Sequence, residues 1–194
     1  MTICDIAINN SNIQHVSNTT FLGVTIDENL TWAPHINIIL QKISCAIGIL
    51  YKIRHFVPLK ILLNIYNAII LPHLSYCTLT WGHCAKILLN KLYVLQKRAL
   101  RAITNSHPRT TSEPLFRKFN ILTIFQIHEL QVGSFMYMYN KNLLPHIFYD
   151  MFKMTKDVHT HNIRDASNMY IPLLKYQTSR KSVNYSGVMQ YQLI

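Results

Sequence analysis

Ala85-Lys86-Ile87-Leu88-Leu89-Asn90-Lys91-Leu92-Tyr93-Val94-Leu95-Gln96-Lys97-Arg98-Ala99-Leu100-Arg101-Ala102-Ile103-Thr104 is the stretch that decides the fold. Leu88, Leu92, Leu95, Ala99 and Ile103 recur at three- and four-residue steps, the period of one helix face. Asn90, Lys91, Lys97, Arg98 and Arg101 take the opposite arc. At ~100° per residue, the four cations fall within about 120° of one another. No acid shares this helix. Indeed, no Asp or Glu occurs between Glu28 and Glu113, while ten bases lie from Lys42 to Arg109.

The same period extends upstream. From Pro34 to Phe56, the residues Ile36, Leu40, Ile43, Ile47, Leu50 and Ile53 form an apolar stripe, with Thr31 as N-cap and Pro34 in the first turn. Val57-Pro58 breaks it. A second helix runs from about Leu59, burying Leu62, Ile65, Tyr66, Ile69 and Ile70, and Pro72 must kink or end it. Downstream, Asn105-Ser106-His107-Pro108 is a loop. Glu113–Phe119 reads as a short helix, Ile121–Tyr139 as a longer one and Pro145–Phe152 as another short one. From Lys153 the pattern weakens into short strands or a frayed tail. The first thirty residues alternate instead: Ile3, Ile6 and Ile8, the turn-forming cluster Asn9-Asn10-Ser11-Asn12, then Ile13 and Val16. Phe21, Leu22, Val24 and Ile26 make a second β-prone run around Gly23. The expected fold is therefore mainly α, in three parts. A small β-hairpin or meander covers 1–30, an amphipathic helix bundle 31–152, and a weakly structured tail 153–194.

Composition narrows the function classes. The chain has 194 residues, 19 Lys and Arg against 8 Asp and Glu, and 49% apolar residues. That is too apolar for a disordered tail and long enough for a sizeable core. A net charge of +11 favours a polyanionic partner, nucleic acid or an anionic membrane surface. Cys4, Cys45, Cys77 and Cys84 form no disulfide framework, and the N-terminus shows no signal peptide. An intracellular, cytoplasmic or nuclear, location is expected. Ile61 to Ala85 carries no charged residue and is long enough for a span of ~20 residues. Asn64, Asn67, Pro72, His73, Ser75, Thr78 and Thr80 interrupt it, however, and favour a buried helix pair over a membrane segment.

Catalytic chemistry finds few candidates. A two-metal site needs converging carboxylates. Asp5, Asp27, Glu28, Glu113, Glu129, Asp150, Asp157 and Asp165 are scattered, and the adjacent pair Asp27-Glu28 suits a turn or helix start. There is no glycine-rich phosphate loop and no nucleophile elbow. His73-x3-Cys77-x5-His83-Cys84 lacks the spacing of structural zinc sites, and His159-Thr160-His161 lacks companions. No catalytic residue and no metal ligand is assigned. The cationic arc of Lys91, Lys97, Arg98 and Arg101 reads either as a solvated face or as a phosphate-contacting one. Tyr51, Tyr66, Trp81 and Tyr93 could stack on bases, although core packing suits most of them better.

Several segments together resemble one family, the reverse transcriptases of LINE-type (jockey-like) non-LTR retrotransposons. The residues that carry it are Phe21-Leu22-Gly23-Val24, Leu30-Thr31-Trp32, His35-Ile36, Lys42-Ile43, Tyr66, Pro72, Tyr76 and Trp81-Gly82. Leu95-Gln96-Lys97-Arg98-Ala99-Leu100-Arg101 is the most specific run, and Leu144-Pro145, Arg164 and Tyr185-x-Gly187 are further echoes. The resemblance spans roughly residues 20–187. It implies that Phe21 to Val24 form a primer-grip-like hairpin just after the palm and that the following helices are thumb-like. It also implies that the catalytic aspartates and their Mg2+ lie upstream of this chain, since Asp5 and Asp27 match neither catalytic motif. Where relatives usually show Trp-Asn, this chain has Tyr191-Gln192. The implied function is that of a fragment of an RNA-directed DNA polymerase, inactive alone, binding RNA or DNA through phosphates. Self-association through the surface left by a missing palm is a further expectation. The alternatives are a structural remnant without function and a membrane-associated helical protein.

Overall fold

The computed structural model describes residues 6–8, 11–158, 168–171 and 183–192. Two antiparallel hairpins come first. In one, β1 (Ile6–Ile8) pairs with β2 (Ser11–Ile13); in the other, β3 (Asn18–Phe21) pairs with β4 (Val24–Asp27), with Phe21 opposite Val24. The run Phe21 to Ile26 is thus not one strand. Leu22 and Gly23 form a two-residue turn with φ of 47° and 78°, the left-handed pair that matches strand twist in a tight hairpin. β3 is exposed throughout, while Val24, Thr25 and Asp27 of β4 are buried. An isolated hairpin is marginal in water, and this one gains its stability by laying β4 on the first helix.

The junction into that helix belongs to Asp27. Its carboxylate accepts from the Thr31 N–H (2.9 Å), the Thr31 hydroxyl (2.8 Å) and the Trp32 N–H (2.8 Å). The helix-start role expected of Asp27-Glu28 is therefore carried by Asp27 from outside the helix. Thr31 is not the N-cap: Trp32 occupies that position with φ of 64°. Burial would raise the Asp27 pKa, but the hydrogen bonds to Thr31 and Trp32 outweigh it and hold the carboxyl below its ordinary value.

Helix α1 (Ala33–Ile53) buries His35, Ile36, Ile39, Ile43, Ala46, Ile47 and Leu50. Leu40 and Ile53, expected in the stripe, are half-buried at its edge. After Pro58 come α2 (Leu59–Ile65), a π-helical turn (Tyr66–Ile70) and α3 (Leu71–Ser75). Pro72 kinks the element rather than ending it. It offers no N–H to the carbonyl four residues back, so the chain widens to an i→i+5 pattern, with the Leu71 N–H donating to the Tyr66 carbonyl. The additional residue in that turn puts Ile70 inside and leaves Ile69 exposed, against the 3.6-residue expectation.

Then follow α4 (Thr78–Trp81), α5 (Lys86–Ile103), α6 (Glu113–Lys118) and α7 (Ile124–Asn140). The last starts at Ile124 rather than Ile121 because Thr123 and Gln126 form a reciprocal capping box there. The uncharged run 61–85 is accordingly divided among short pieces. Among the described residues, the helix long and apolar enough to cross a membrane, by length and composition alone, is α1.

α1 and α5 pack together at the centre, and α2, α4 and the first half of α7 close over them. The second half of α7 holds a smaller cluster, in which Val132, Phe135 and Met136 meet Met169 and Val188. The segment 145–152 forms only a 3-10 turn, His146–Phe148. In the tail, α8 (Thr155–Val158), a bridge between Met154 and Met169, and α9 (Val183–Gln192) are described. Gly187 of α9 lies against the Met136 sulfur: a Cβ there would stand 3.0 Å from it. The echo at Arg164, the pair His159 and His161, and Cys4, Asp5 and Asp165 lie outside the described residues.

Candidate nucleic-acid interface

The cationic arc divides into two kinds of side chain. Lys91 and Arg98 are exposed. Lys97 lies over the Tyr93 ring, its Nζ 4.4 Å from the centroid, and Arg101 donates from Nε to the Thr110 carbonyl at 2.8 Å. Arg101 thereby ties the loop after α5 back onto the helix. Among the described residues, the ion pairs are His15–Glu28 and Arg117–Glu113, neither of them on this arc. Among the described residues no acid pairs with the arc, and two of its four cations also serve the fold.

The rest of the run Leu95 to Arg101 is interior. Leu95, Gln96, Ala99 and Leu100 are buried. Gln96, fully enclosed, donates to the Tyr66 hydroxyl (3.0 Å) and the Leu122 carbonyl (3.1 Å), and accepts from the Ile124 N–H (2.8 Å). One amide therefore joins the π-helical turn, the loop before α7 and the first residue of α7. Burial pushes the Tyr66 phenol up to about 12, against the opposing pull of its bond from Gln96. Composition and periodicity had no means of marking Gln96, since a polar residue on an amphipathic helix reads as solvent-facing.

A second constellation forms around the turn. Leu22, Gly23, His35, Ile38, Ile39, Lys42, Pro72, His73, Ser75 and Tyr76 line one cleft of about 410 Å³. Six of these ten are among the residues that carry the resemblance, brought together from the hairpin, α1 and α3. The Tyr76 hydroxyl donates to the Leu22 carbonyl at 2.6 Å and so holds the left-handed turn in place. A non-glycine residue at positive φ costs roughly 1–2 kcal/mol, so this bond stabilises a strained position. The Tyr76 carbonyl in turn accepts from Trp81 Nε1 at 2.9 Å, and the buried Trp81 ring meets His35 edge-on with centroids 5.8 Å apart. His35 Nδ1 accepts from the Thr25 N–H at 3.3 Å, which returns the network to β4. Gly82 follows Trp81 for a steric reason: a Cβ there would stand 2.6 Å from the His128 ring and 2.5 Å from the Thr78 carbonyl oxygen. The Trp-Gly pair is therefore part of this packing.

The electrostatics of the cleft are one-sided. Lys42 is the cation whose charge acts on both His35 and His73. For each, burial first and Lys42 second lower the imidazole pKa. Among the described residues, no carboxylate lines the cleft. Tyr66 and Trp81, weighed above as base-stacking platforms, are fully buried, whereas Tyr51 is exposed with Arg54 4.9 Å above its ring.

Among the described residues, no arrangement of side chains fits Mg2+. Asp27 spends its oxygens on three hydrogen bonds, Glu113 pairs with Arg117 at 3.0 Å, and among the described residues no three His, Cys, Asp or Glu side chains converge on a metal-sized space. His73, Cys77, His83 and Cys84 form no such group either.

Comparison with known proteins finds relatives of the kind that the resemblance named. Over 104 residues, 52% of the chain, it is 32% identical to the RNA-directed DNA polymerase from mobile element jockey of Drosophila melanogaster, and equally so to that of Drosophila funebris. Over 133 residues, 67% of the chain, it is 28% identical to the probable RNA-directed DNA polymerase from transposon BS of Drosophila melanogaster. The chain spans 11% to 14% of the length of these relatives. No family model matches it, and no solved structure does. Through this shared tract, the chain is similar to the RNA-directed DNA polymerases of mobile element jockey and transposon BS.

Proposed function

We propose that this chain is a nucleic-acid-holding piece of a non-LTR retrotransposon reverse transcriptase, one that grips a template–primer without carrying out the chemistry. The observation that supports it best is the cleft at the Leu22-Gly23 turn, because residues of the resemblance from three separate elements line it. Phe21 to Val24 would shape a primer-grip-like turn. Lys91 and Arg98, with Lys97 and Arg101 behind them, would contact phosphates along α5. On this reading, the catalytic carboxylates and their Mg2+ belong to the longer relatives, and the chain by itself polymerises nothing. Its place of action would be inside the cell, where such a template–primer exists.

A salt titration of binding to an RNA–DNA duplex tests this. Phosphate contacts release counterions, so affinity should fall with salt at a slope of about −0.9 per contact. No binding, or binding indifferent to salt, would sink the reading. A primed-template polymerase assay should stay at background. Phe21 and Leu22, 66% and 72% exposed, also support self-association through the hairpin. Light scattering on dilution should then show dimers dissociating, and a strictly monomeric chain would exclude it.

A further inference from the structure

The cleft beside the turn offers two kinds of wall. Leu22, Ile38 and Ile39 line it with apolar surface, while Lys42, one turn after Ile38 on α1, and His73 on α3 supply nitrogen. Its volume of about 410 Å³ falls in the range of small-ligand sites, roughly 300–1,000 Å³. A recess with two nitrogen groups, no carboxylate among the described residues that line it, and an apolar wall matches the two halves of a nucleotide unit. The phosphoryl group is anionic and seeks charge-assisted donors, and the sugar and base present apolar faces. We propose that this cleft holds one nucleotide unit, its phosphoryl group between Lys42 and His73 and its sugar or base against Leu22 and Ile38. The phosphoryl chemistry is the same for a nucleic-acid strand and for a free nucleotide. A strand as its source rests on the function proposed above.

The site carries its own pH dependence. Burial and Lys42 both disfavour the protonated form of His73. A phosphate seated between them reverses the second influence, so binding draws a proton onto His73 and tightens as pH falls. The π-helical turn packed against α3 carries Tyr66, which is fully buried and bonded to Gln96. α1 brings Lys42 and His35, and His35 is 4% exposed with Nδ1 already bonded to Thr25. α3 is followed by Tyr76, whose hydroxyl is committed to Leu22. The turn has no titratable side chain. α7, packed against α3, carries His128 and Glu129, and neither perturbs His73.

The test uses the full chain. Anisotropy of a labelled oligothymidylate should show binding about threefold to tenfold tighter near pH 6 than near pH 8. His73→Gln should erase that difference. Lys42→Gln should weaken binding about tenfold at both values, and Lys42→Arg should restore it, which separates lost charge from a misfolded chain. In parallel, the His73 ring resonances are titrated with thymidine monophosphate and with inorganic phosphate. Thymidine monophosphate should raise the apparent pKa of His73 at lower concentration than phosphate does. Oligonucleotide binding that is unchanged in both variants overturns the cleft and leaves the proposed function standing. No oligonucleotide binding, with His73 still responding to the mononucleotide, upholds the cleft and overturns the function. Equal responses to phosphate and to the mononucleotide overturn the role of the apolar wall.

Discussion

Two regions of this chain carry cations with no acidic neighbour among the described residues, and they are built in opposite ways. The arc on α5 is a single helix face, whose cations share one element and stand where an amphipathic helix would put any polar side chain. The cleft at the Leu22-Gly23 turn draws its residues from a hairpin, α1 and α3, and a hydrogen bond between residues 22 and 76 holds it together. A helix face costs the fold nothing to present, so its charge is weak evidence of use. A strained turn held by a distant tyrosine has a conformational cost, and such features concentrate at functional positions. Residue for residue, the cleft is the stronger candidate, although the arc carries more charge.

The largest expected effect bears on the α5 side. Replacing Gln96 with Leu keeps the volume but strands the Tyr66 hydroxyl and the Ile124 N–H inside the core and also removes the partner of the Leu122 carbonyl. We expect a loss of about 3 kcal/mol in urea unfolding, since a buried polar group left unpaired costs about 1–3 kcal/mol. A loss under about 1 kcal/mol would mean that the run Leu95 to Arg101 is not anchored through its amide, and the arc would regain its claim to be a binding motif. Next in size is Gly23→Ala. At φ +78° a Cβ costs about 1–2 kcal/mol, while the nearest atom, on the Tyr76 ring, is 3.8 Å away, so strain rather than collision sets the effect. A variant as stable as the parent would show that the turn readily adopts another form.

Much of this was legible in the residues, and the parts that were not have physical reasons. The period of Leu88 to Ile103 announces α5 because a long helix with one buried face repeats its pattern often enough to be read. The turn at Leu22-Gly23 is hidden because leucine seldom takes positive φ, so alternation alone reads Phe21 to Ile26 as a continuous strand. Ile69 is misplaced because Pro72 changes the helical register before it is reached. α9 is hidden because Val183 to Gln192 shows no periodic stripe, its buried Gly187 and Val188 being adjacent. The cleft could not be derived from periodicity at all, because Lys42 and His73 lie on different helices. Only the resemblance marked Leu22, Gly23, His35, Lys42, Pro72 and Tyr76 as one set.

Acid should act on the cleft before it acts on α5. His35, His73 and His128 all have pKa values lowered from the ordinary 6.5, chiefly by burial. The unfolded chain therefore binds more protons below that value, and the stability these groups contribute is complete above about pH 6.5 and is lost as pH falls through their lower folded values. Asp27, also lowered, adds a second loss below its ordinary 3.8. The urea midpoint should decline between about pH 7 and pH 5 and again below about pH 4. A flat profile across the first interval would mean that the three imidazoles are not buried as neutral groups.

The smallest effect is the most discriminating within the arc itself. Arg101 bonds the Thr110 carbonyl, and Arg98 is exposed one turn of the helix away. Arg101→Gln should cost about 1 kcal/mol of stability through the loosened loop, whereas Arg98→Gln should stay within about 0.5 kcal/mol. If the arc contacts phosphate, the order reverses in a binding assay. Arg98→Gln would then flatten the salt dependence of oligonucleotide affinity by about one contact, and Arg101→Gln, already occupied by the loop, would alter it less. Equal stability costs in the two variants would show that the Thr110 bond is idle, and equal salt slopes would show that Arg98 meets only water. Because stability and salt slope rank the two arginines in opposite orders, the pair separates a cation used by the fold from one available to a partner.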